Sequence, residues 1–308
     1  MKIRMIYEGR DITDYINITK CLCHDQSRGR CDTAELELDH AAAWYEWQPQ
    51  RDDRISLSYG GYETGTLYLN TIRPEENKYR IIATSLPSTS RLLSYATFEK
   101  KNLSAIVAAC AAECGMGFEL HGISGGLDYD YLLRENEGCA AFLERIAGME
   151  GAALKCVNGA LKLIGILYAQ TLNETCSLRV DTQQSHAVYI STRHDKLGGI
   201  RVVSPFGEAK ATDSAYSGGS VITLCHLPVR SAAQAGRWAR GLLLTHNRTA
   251  EVLNIESMAF KPCLTALCRV RVEGNTDASG YWLVDEVIQD LYNEHTSVIM
   301  LKAITTIR

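Results

Sequence analysis

Glu144 and Glu150 stand close together in residues 136–165, NEGCAAFLERIAGMEGAALKCVNGALKLIG, beside a hairpin-like Asn-Gly. A close acid pair is the first arrangement in this chain that could do general acid–base work. A glycosidase-type pair needs its carboxyls about 5–9.5 Å apart across a cleft. The helical period argues for something simpler. Phe142, Leu143, Ile146, Ala147 and Met149 make one apolar stripe, and Glu144 projects away from it. Glu150 falls at the helix end, where the dipole disfavours a carboxylate. Both acids are therefore expected on solvated faces. Asp285 and Glu286 interrupt the apolar run YWLVDEVI, residues 281–288. Neighbours in a strand face opposite ways, so these two cannot act as a dyad. Each is expected to meet a charge at a subunit contact or to lie at a barrel rim.

The other reactive residue types are equally unclustered. Eight histidines (24, 40, 121, 186, 194, 226, 246 and 295) form neither HxH nor HExxH. A Walker A sequence is absent from the chain. Ser217-Gly218-Gly219-Ser220 precedes no helix and reads as a strand connection, not a phosphate cradle. Eleven cysteines include no CxxC. A strand would place Cys21 and Cys23 on one face, and a helix would do the same for Cys110 and Cys114. In apolar surroundings such thiols read as reduced core residues. The expectation is a protein that is not an enzyme and has no catalytic, cofactor-binding or metal-binding residues.

Composition bounds the class. Of 308 residues, 46% are hydrophobic and 22% charged, so the chain can build a core. Its net charge of −4 and lack of basic runs argue against a nucleic-acid grip. Tyr7, Tyr15, Tyr59, Tyr62, Tyr68 and Tyr79 are not interleaved with basic pairs and read as barrel or interface residues. The N-terminus lacks a signal-peptide core, and no apolar run, residues 163–169 included, approaches the length of a membrane span. A soluble chain without membrane anchoring is expected.

The elements follow from period and turns. Residues 2–9, 14–22, 33–39, 54–60, 64–72 and 79–85 alternate or are β-rich, which predicts six strands. Residues 41–53 break the pattern and predict a loop or short helix. A helix follows Asn102 or Ser104, with Ile106, Val107, Cys110, Ala111 and Cys114 on its buried face and Gly115 at its end. Asn136 is the expected cap of the next helix, and Gly151 its stop. Asn158-Gly159 predicts a type I′ hairpin that sets Lys155 opposite Lys162, facing water or an acidic neighbour subunit. From residue 184 onward strands dominate, at 187–192, 199–204, 220–227, 252–257, 268–274, 281–288 and 297–304. A Ser231-capped helix with Ala235, Trp238, Ala239, Leu242 and Leu243 inward interrupts them. The runs 281–288 and 297–304 are apolar on both faces and are placed centrally. The fold class is α+β, mostly β: two tube-type antiparallel β-barrels, residues 1–95 and 184–308, flanking a mixed α+β middle, residues 96–183.

The chain resembles the baseplate hub proteins of contractile phage tails and tail-like particles, the late control protein D family, and the base of type VI secretion spikes. RENEGCAAFLERIAGMEGAAL with its VNGALKLI hairpin is similar to the family's FL-x-R-x-A-x-x-x-G helix and the strand and hairpin after it. SAAQAGRWARGLLL resembles the alanine-rich helix before the last strands, and GYWLVDEVIQDLYNEHTSVIMLKAI the closing strands. GTLYLNTIRPEENKYRIIATS resembles the first barrel's hairpin. Gln289 stands where the family often has histidine, and no lysozyme-like segment or needle follows residue 308. The spike is therefore expected to be a separate protein.

The resemblance implies a homotrimer whose six barrels make a quasi-sixfold ring. Such a ring would adapt a hexameric tail tube to a threefold spike and provide the central channel. Implied partners are the spike protein, a tail tube or tube-initiator protein, other baseplate proteins and the tape-measure protein. DNA would pass only in transit. The implied location is the baseplate of a virion or tail-like particle, made and assembled in the bacterial cytoplasm. The rival readings are a hub-associated peptidoglycan hydrolase and a two-barrel adhesin on the particle surface.

Overall fold

The computed structural model describes residues 2–28, 31–39, 48–75, 78–180, 186–274 and 277–308. The loop or helix expected over 41–53 falls largely on 40–47, outside the described residues.

Thr33–Asp39 shows why the first strands form. Ala34, Leu36 and Leu38 are buried, while Glu35 and Glu37 turn outward to Lys20 (3.2 Å) and Arg80 (3.3 Å). Period-two patterning of this kind lets one face pack while the other stays in water. The six expected strand regions are all present, as Arg4–Tyr7, Asn17–Gln26, Thr33–Asp39, Arg54–Tyr59, Leu67–Glu75 and Lys78–Thr84.

These strands belong to one sheet with the last part of the chain. Its main path runs Ala187–Ser191, Glu251–Ala259, His295–Lys302, Gly280–Asp290, Asn17–Gln26, Thr33–Asp39, Lys78–Thr84, Leu67–Glu75, Arg54–Tyr59, Arg4–Tyr7, Arg10–Asp11. Gly280–Asp290 and His295–Lys302 are central, as their two-sided apolar pattern required. The joint between the chain's two ends is antiparallel, with Glu286 opposite Gln26 and Asp290 opposite Leu22. The two closed barrels expected from the sequence are not seen: among the described residues the path is open, with Ala187–Ser191 at one end and Arg10–Asp11 at the other. The runs from the two ends share a strand ladder across this joint instead of each closing on itself.

Trp282 and Val284 face one core with Leu253, Val270, Val298 and Met300. A second core, with Met5, Leu36, Leu57, Leu69 and Ile81, lies under the N-terminal strands. The largest holds the helices. Helix α1 (Leu103–Glu113) is capped by Asn102, whose Oδ1 accepts from Ala105 N, and ends at Gly115 with φ +65°. Helix α2 (Cys139–Met149) starts at Gly138, not Asn136. Asn136 is still part of the strand Asp128–Glu137, which pairs with Ser94–Asn102 as far as Glu137 and delays the helix. A short helix α3 (Ile166–Ala169) follows the hairpin. In α4 (Ala232–Asn247) the Ser231 Oγ accepts from Gln234 N, and Trp238, Ala239 and Leu243 are fully buried. Among the described residues no helix is long and apolar enough to cross a membrane.

Candidate functional site

The hairpin forms in the expected register. Asn158 and Gly159 take φ +52° and +70°, and Lys155 lies opposite Lys162. The strand Gly117–His121 adds in parallel to Ala160–Gly165 and carries Glu119 to 3.0 Å from Lys162. Lys155 corrects the sequence expectation, for the acids it meets lie inside its own chain. It is buried and its Nζ bonds Asp25, Asp32 and the Gln26 carbonyl, all of this chain. Asp25 also accepts from Ala266 N at 3.1 Å, and Asp32 from Gln26 N at 3.1 Å. Burial pushes the Asp32 carboxyl up to about 7; Lys155 pulls against that shift and Asp25 adds to it. One ammonium thus ties the hairpin to the N-terminal strands and to the loop before Arg269–Glu273.

Asp285 forms a second lock. A bulge between Val284 and Glu286 keeps Val284 and Val287 in the same core and leaves Asp285 out of the ladder. Its carboxylate accepts from Ser27 Oγ (2.6 Å), Arg28 Nε (2.8 Å) and the buried Arg248 Nη2 (3.2 Å). Burial holds Arg248 down at about 10. Glu286, turned the other way, accepts from Gln26 Nε2 at 3.1 Å. Both acids thus meet partners within this chain, at the joint between its first and last strands.

Glu144 is exposed, as its place off the stripe required. Glu150 is a correction: its side chain is 2% exposed. It accepts from Trp238 Nε1 (2.8 Å), Tyr129 Oη (2.9 Å) and Arg237 Nε (3.2 Å). These donors offset its unfavourable position at the end of α2 and fasten that end to α4. The carboxylate is occupied structurally.

A fourth acid, Glu251, was not singled out by the sequence. It is buried and accepts from Lys196 Nζ (2.9 Å), Arg193 Nη2 (3.0 Å) and Tyr189 Oη (3.0 Å). Burial would raise its carboxyl, but these partners outweigh burial and hold it down at about 2. A depressed carboxyl stabilises the fold above its unfolded pKa, and that stabilisation is lost as pH falls from about 4.5 toward 2. Glu251→Gln is expected to cost roughly 3 kcal/mol at pH 7 and far less near pH 2. Urea unfolding of both proteins across that range checks it; a loss that does not shrink with acid would refute the assignment.

Among the described residues no three His, Cys, Asp or Glu side chains are placed to hold a metal ion. Ser217–Ser220 lies on the backbone of Gly198, whose N–H donates to the Ser220 carbonyl at 2.9 Å, and is a strand connection as expected. These buried ion clusters can join cores into one stiff body. Unspent apolar surface remains outside: Val188 and Ile190 on the edge strand, and Leu92, Leu93 and Tyr95 ahead of α1, are at least half exposed.

A chain of this architecture, a wide antiparallel sheet joined to a helix-and-hairpin unit through buried ions, has the fold of phage tail proteins. The 43 kDa tail protein of prophage MuSo2 from Shewanella oneidensis superposes with a TM-score of 0.72 at 14% identity over 98% of each chain. The tail protein from Neisseria meningitidis MC58 gives 0.74 at 10% identity, over 98% of this chain and 96% of its own. An E. coli component of the type VI secretion system, itself structurally similar to bacteriophage T4 tail proteins gp27 and gp5, gives 0.59 at 10% identity. That likeness spans 98% of this chain and 76% of the other. No family model and no curated protein sequence matches the chain.

Proposed function

We propose that the protein is the structural baseplate hub of a contractile tail or related injection particle. Three copies form a ring that adapts the hexameric tail tube to a threefold spike and lines the central channel. In this reading residues 1–95 and 184–308 are the two tube-type β units of each copy and 96–183 the unit between them. The observation that carries it is the whole-length likeness to phage tail proteins, with essentially nothing left over in either chain. The buried locks support it, because a conduit that transmits force needs subunits that do not flex at their joints. The occupied Glu150 removes the acid pair that a hydrolase reading would use.

Ala187–Ser191 ends the main sheet path, with Val188 and Ile190 half exposed. An apolar edge strand of this kind is a template for another chain. Val188→Glu with Ile190→Glu is expected to abolish the trimer while changing monomer stability by no more than about 0.5 kcal/mol. Sedimentation of the protein together with its spike, and a reconstruction of the particle, test the reading. A threefold axial ring, lost in the double variant, is the expected result. A peripheral position on the particle would overturn it.

A further inference from the structure

Lys155 and its two acids are placed as reactants as well as ions. The side chains of Lys155, Asp25 and Asp32 are 7%, 12% and 16% exposed, so little water reaches them. Lys155 lies on the hairpin strand Ala152–Val157, Asp25 on Asn17–Gln26, and Asp32 just ahead of Thr33–Asp39. All three protons of the ammonium have acceptors: Asp25 Oδ1, Asp32 Oδ1 and the Gln26 carbonyl oxygen. The two carboxylates differ in their remaining bonds. Asp25 Oδ2 accepts from Ala266 N at 3.1 Å, a main-chain donor on the oxygen away from the amine. Asp32 accepts from Gln26 N through the same Oδ1 that meets Lys155. Asp25 thus has one oxygen on a nucleophile and the other on an oxyanion donor, the arrangement that acyl transfer uses. Asp32 has its oxygen on the amine nitrogen, where a proton carrier belongs. Burial holds its carboxyl up at about 7, so it takes and releases a proton near neutrality. A cavity of about 250 Å³, lined by all three side chains, adjoins the cluster and leaves room for one expelled water.

We infer that Lys155 and Asp25 form an intramolecular isopeptide bond, with Asp32 as the proton carrier. Burial works against the Lys155 charge, but Asp25 and Asp32 outweigh it and hold the ammonium above the usual lysine range. The proton therefore passes to Asp25 Oδ1 within their hydrogen bond and not to water, and burial lowers the cost of the neutral pair. The two remaining N–H groups keep Asp32 and the Gln26 carbonyl, which turns the nitrogen lone pair toward Asp25 Cγ. The N–C bond forms, and negative charge gathers on Asp25 Oδ2, against the Ala266 N–H. Asp32 takes a proton from the nitrogen and passes it to the Oδ1 hydroxyl. The C–Oδ1 bond breaks and water leaves. An ammonium and a carboxylate have become one amide and one water, and the sum needs no other reactant. Holding amine and carboxyl in contact replaces the activation that amide formation needs between free molecules. The bond fastens the hairpin to the N-terminal strands across 130 residues of chain. The ionic cluster described above is its reactant. The inference stands on these three side chains and is independent of any role in a tail.

The test uses the full chain, purified in its folded state and then denatured for mass spectrometry. Its intact mass is expected one water below the sequence mass. Trypsin should release one branched peptide joining residues 21–28 to residues 146–162, because a bridged Lys155 is no longer a cleavage site. Lys155→Arg keeps a cation in the cluster and should keep the full mass. Asp32→Asn keeps both reacting groups and should slow bridging by about 100-fold, leaving full-mass chain where the wild type is bridged. A water loss that persists in Lys155→Arg belongs to an aspartyl succinimide and would overturn the proposal. So would a folded wild-type chain that keeps its full sequence mass after prolonged incubation, or a branch that runs to the peptide of Asp32 instead of Asp25.

Discussion

Lys155→Met is expected to destabilise the protein by about 3–5 kcal/mol at pH 8, one of the two largest losses expected of a single substitution here. The change keeps the volume and removes only the charge. It strands Asp25, which is buried, and Asp32, which is mostly buried, both bonded by the ammonium in the native chain. Asp32 already sits at about 7 with Lys155 in place, so without it the carboxyl moves higher. A raised carboxyl binds its proton more tightly in the folded state than in the unfolded one. The fold is therefore penalised as pH rises from about 4 through 7, and the variant is penalised over a wider range. At pH 5 the Asp32 carboxyl can take up a proton and hydrogen-bond as a neutral group, so the loss there should be clearly smaller. Adding Asp25→Asn and Asp32→Asn to Lys155→Met should recover most of the stability, because replacing a whole buried cluster by neutral groups is often close to neutral. Urea unfolding of the three proteins at both pH values measures it. An equal, small loss at both would mean that Lys155 is solvated after all.

The same residue shows what the sequence could and could not tell. Asn158-Gly159 and the flanking alternation gave the hairpin and its register, because a two-residue turn acts only on the residues it joins. Placing Lys155 opposite Lys162 was therefore legible. What lies behind the hairpin is not local: Asp25 is 130 residues away and Asp32 is 123. Glu150 was misread for the same reason, since its donors Trp238 and Arg237 come from α4, 88 and 87 residues on. The missed strand Ser94–Asn102 had no period to find, because only Phe98 of its nine residues is buried. The central strand Gly280–Asp290 had its two-sided apolar pattern, so its position could be read. Its bulge at Asp285 could not, since a bulge inserts one residue without altering the composition around it.

Gly241→Ala should be as damaging as the loss of Lys155, although helix propensity alone predicts a gain. Alanine in a helix interior is favoured over glycine by about 1 kcal/mol. At position 241 a Cβ would stand 2.1 Å from the Met149 carbonyl oxygen and 2.4 Å from Gly151 N. Both are backbone atoms at the end of α2, held there by the left-handed turn at Gly151 (φ +69°) and by the Glu150 bonds to Trp238 and Arg237. No side chain can swing aside, so α4 and α2 must separate by more than 1 Å, as ordinary contact distances require. Separation would strain the Trp238–Glu150 bond and open space around a fully buried indole. Overpacking of this kind costs about 3 kcal/mol or more when the obstacle is main chain. Two nearby glycines supply the contrast. A Cβ on Gly148 meets nothing within 4 Å, and one on Gly236 meets only Ala209 Cβ at 3.6 Å. Gly148→Ala and Gly236→Ala should therefore each stabilise by about 0.5–1 kcal/mol through helix propensity. Opposite signs for the same substitution on the two packed helices would locate the close crossing of α4 over α2 at Gly241, and three gains of equal size would show that no such crossing exists.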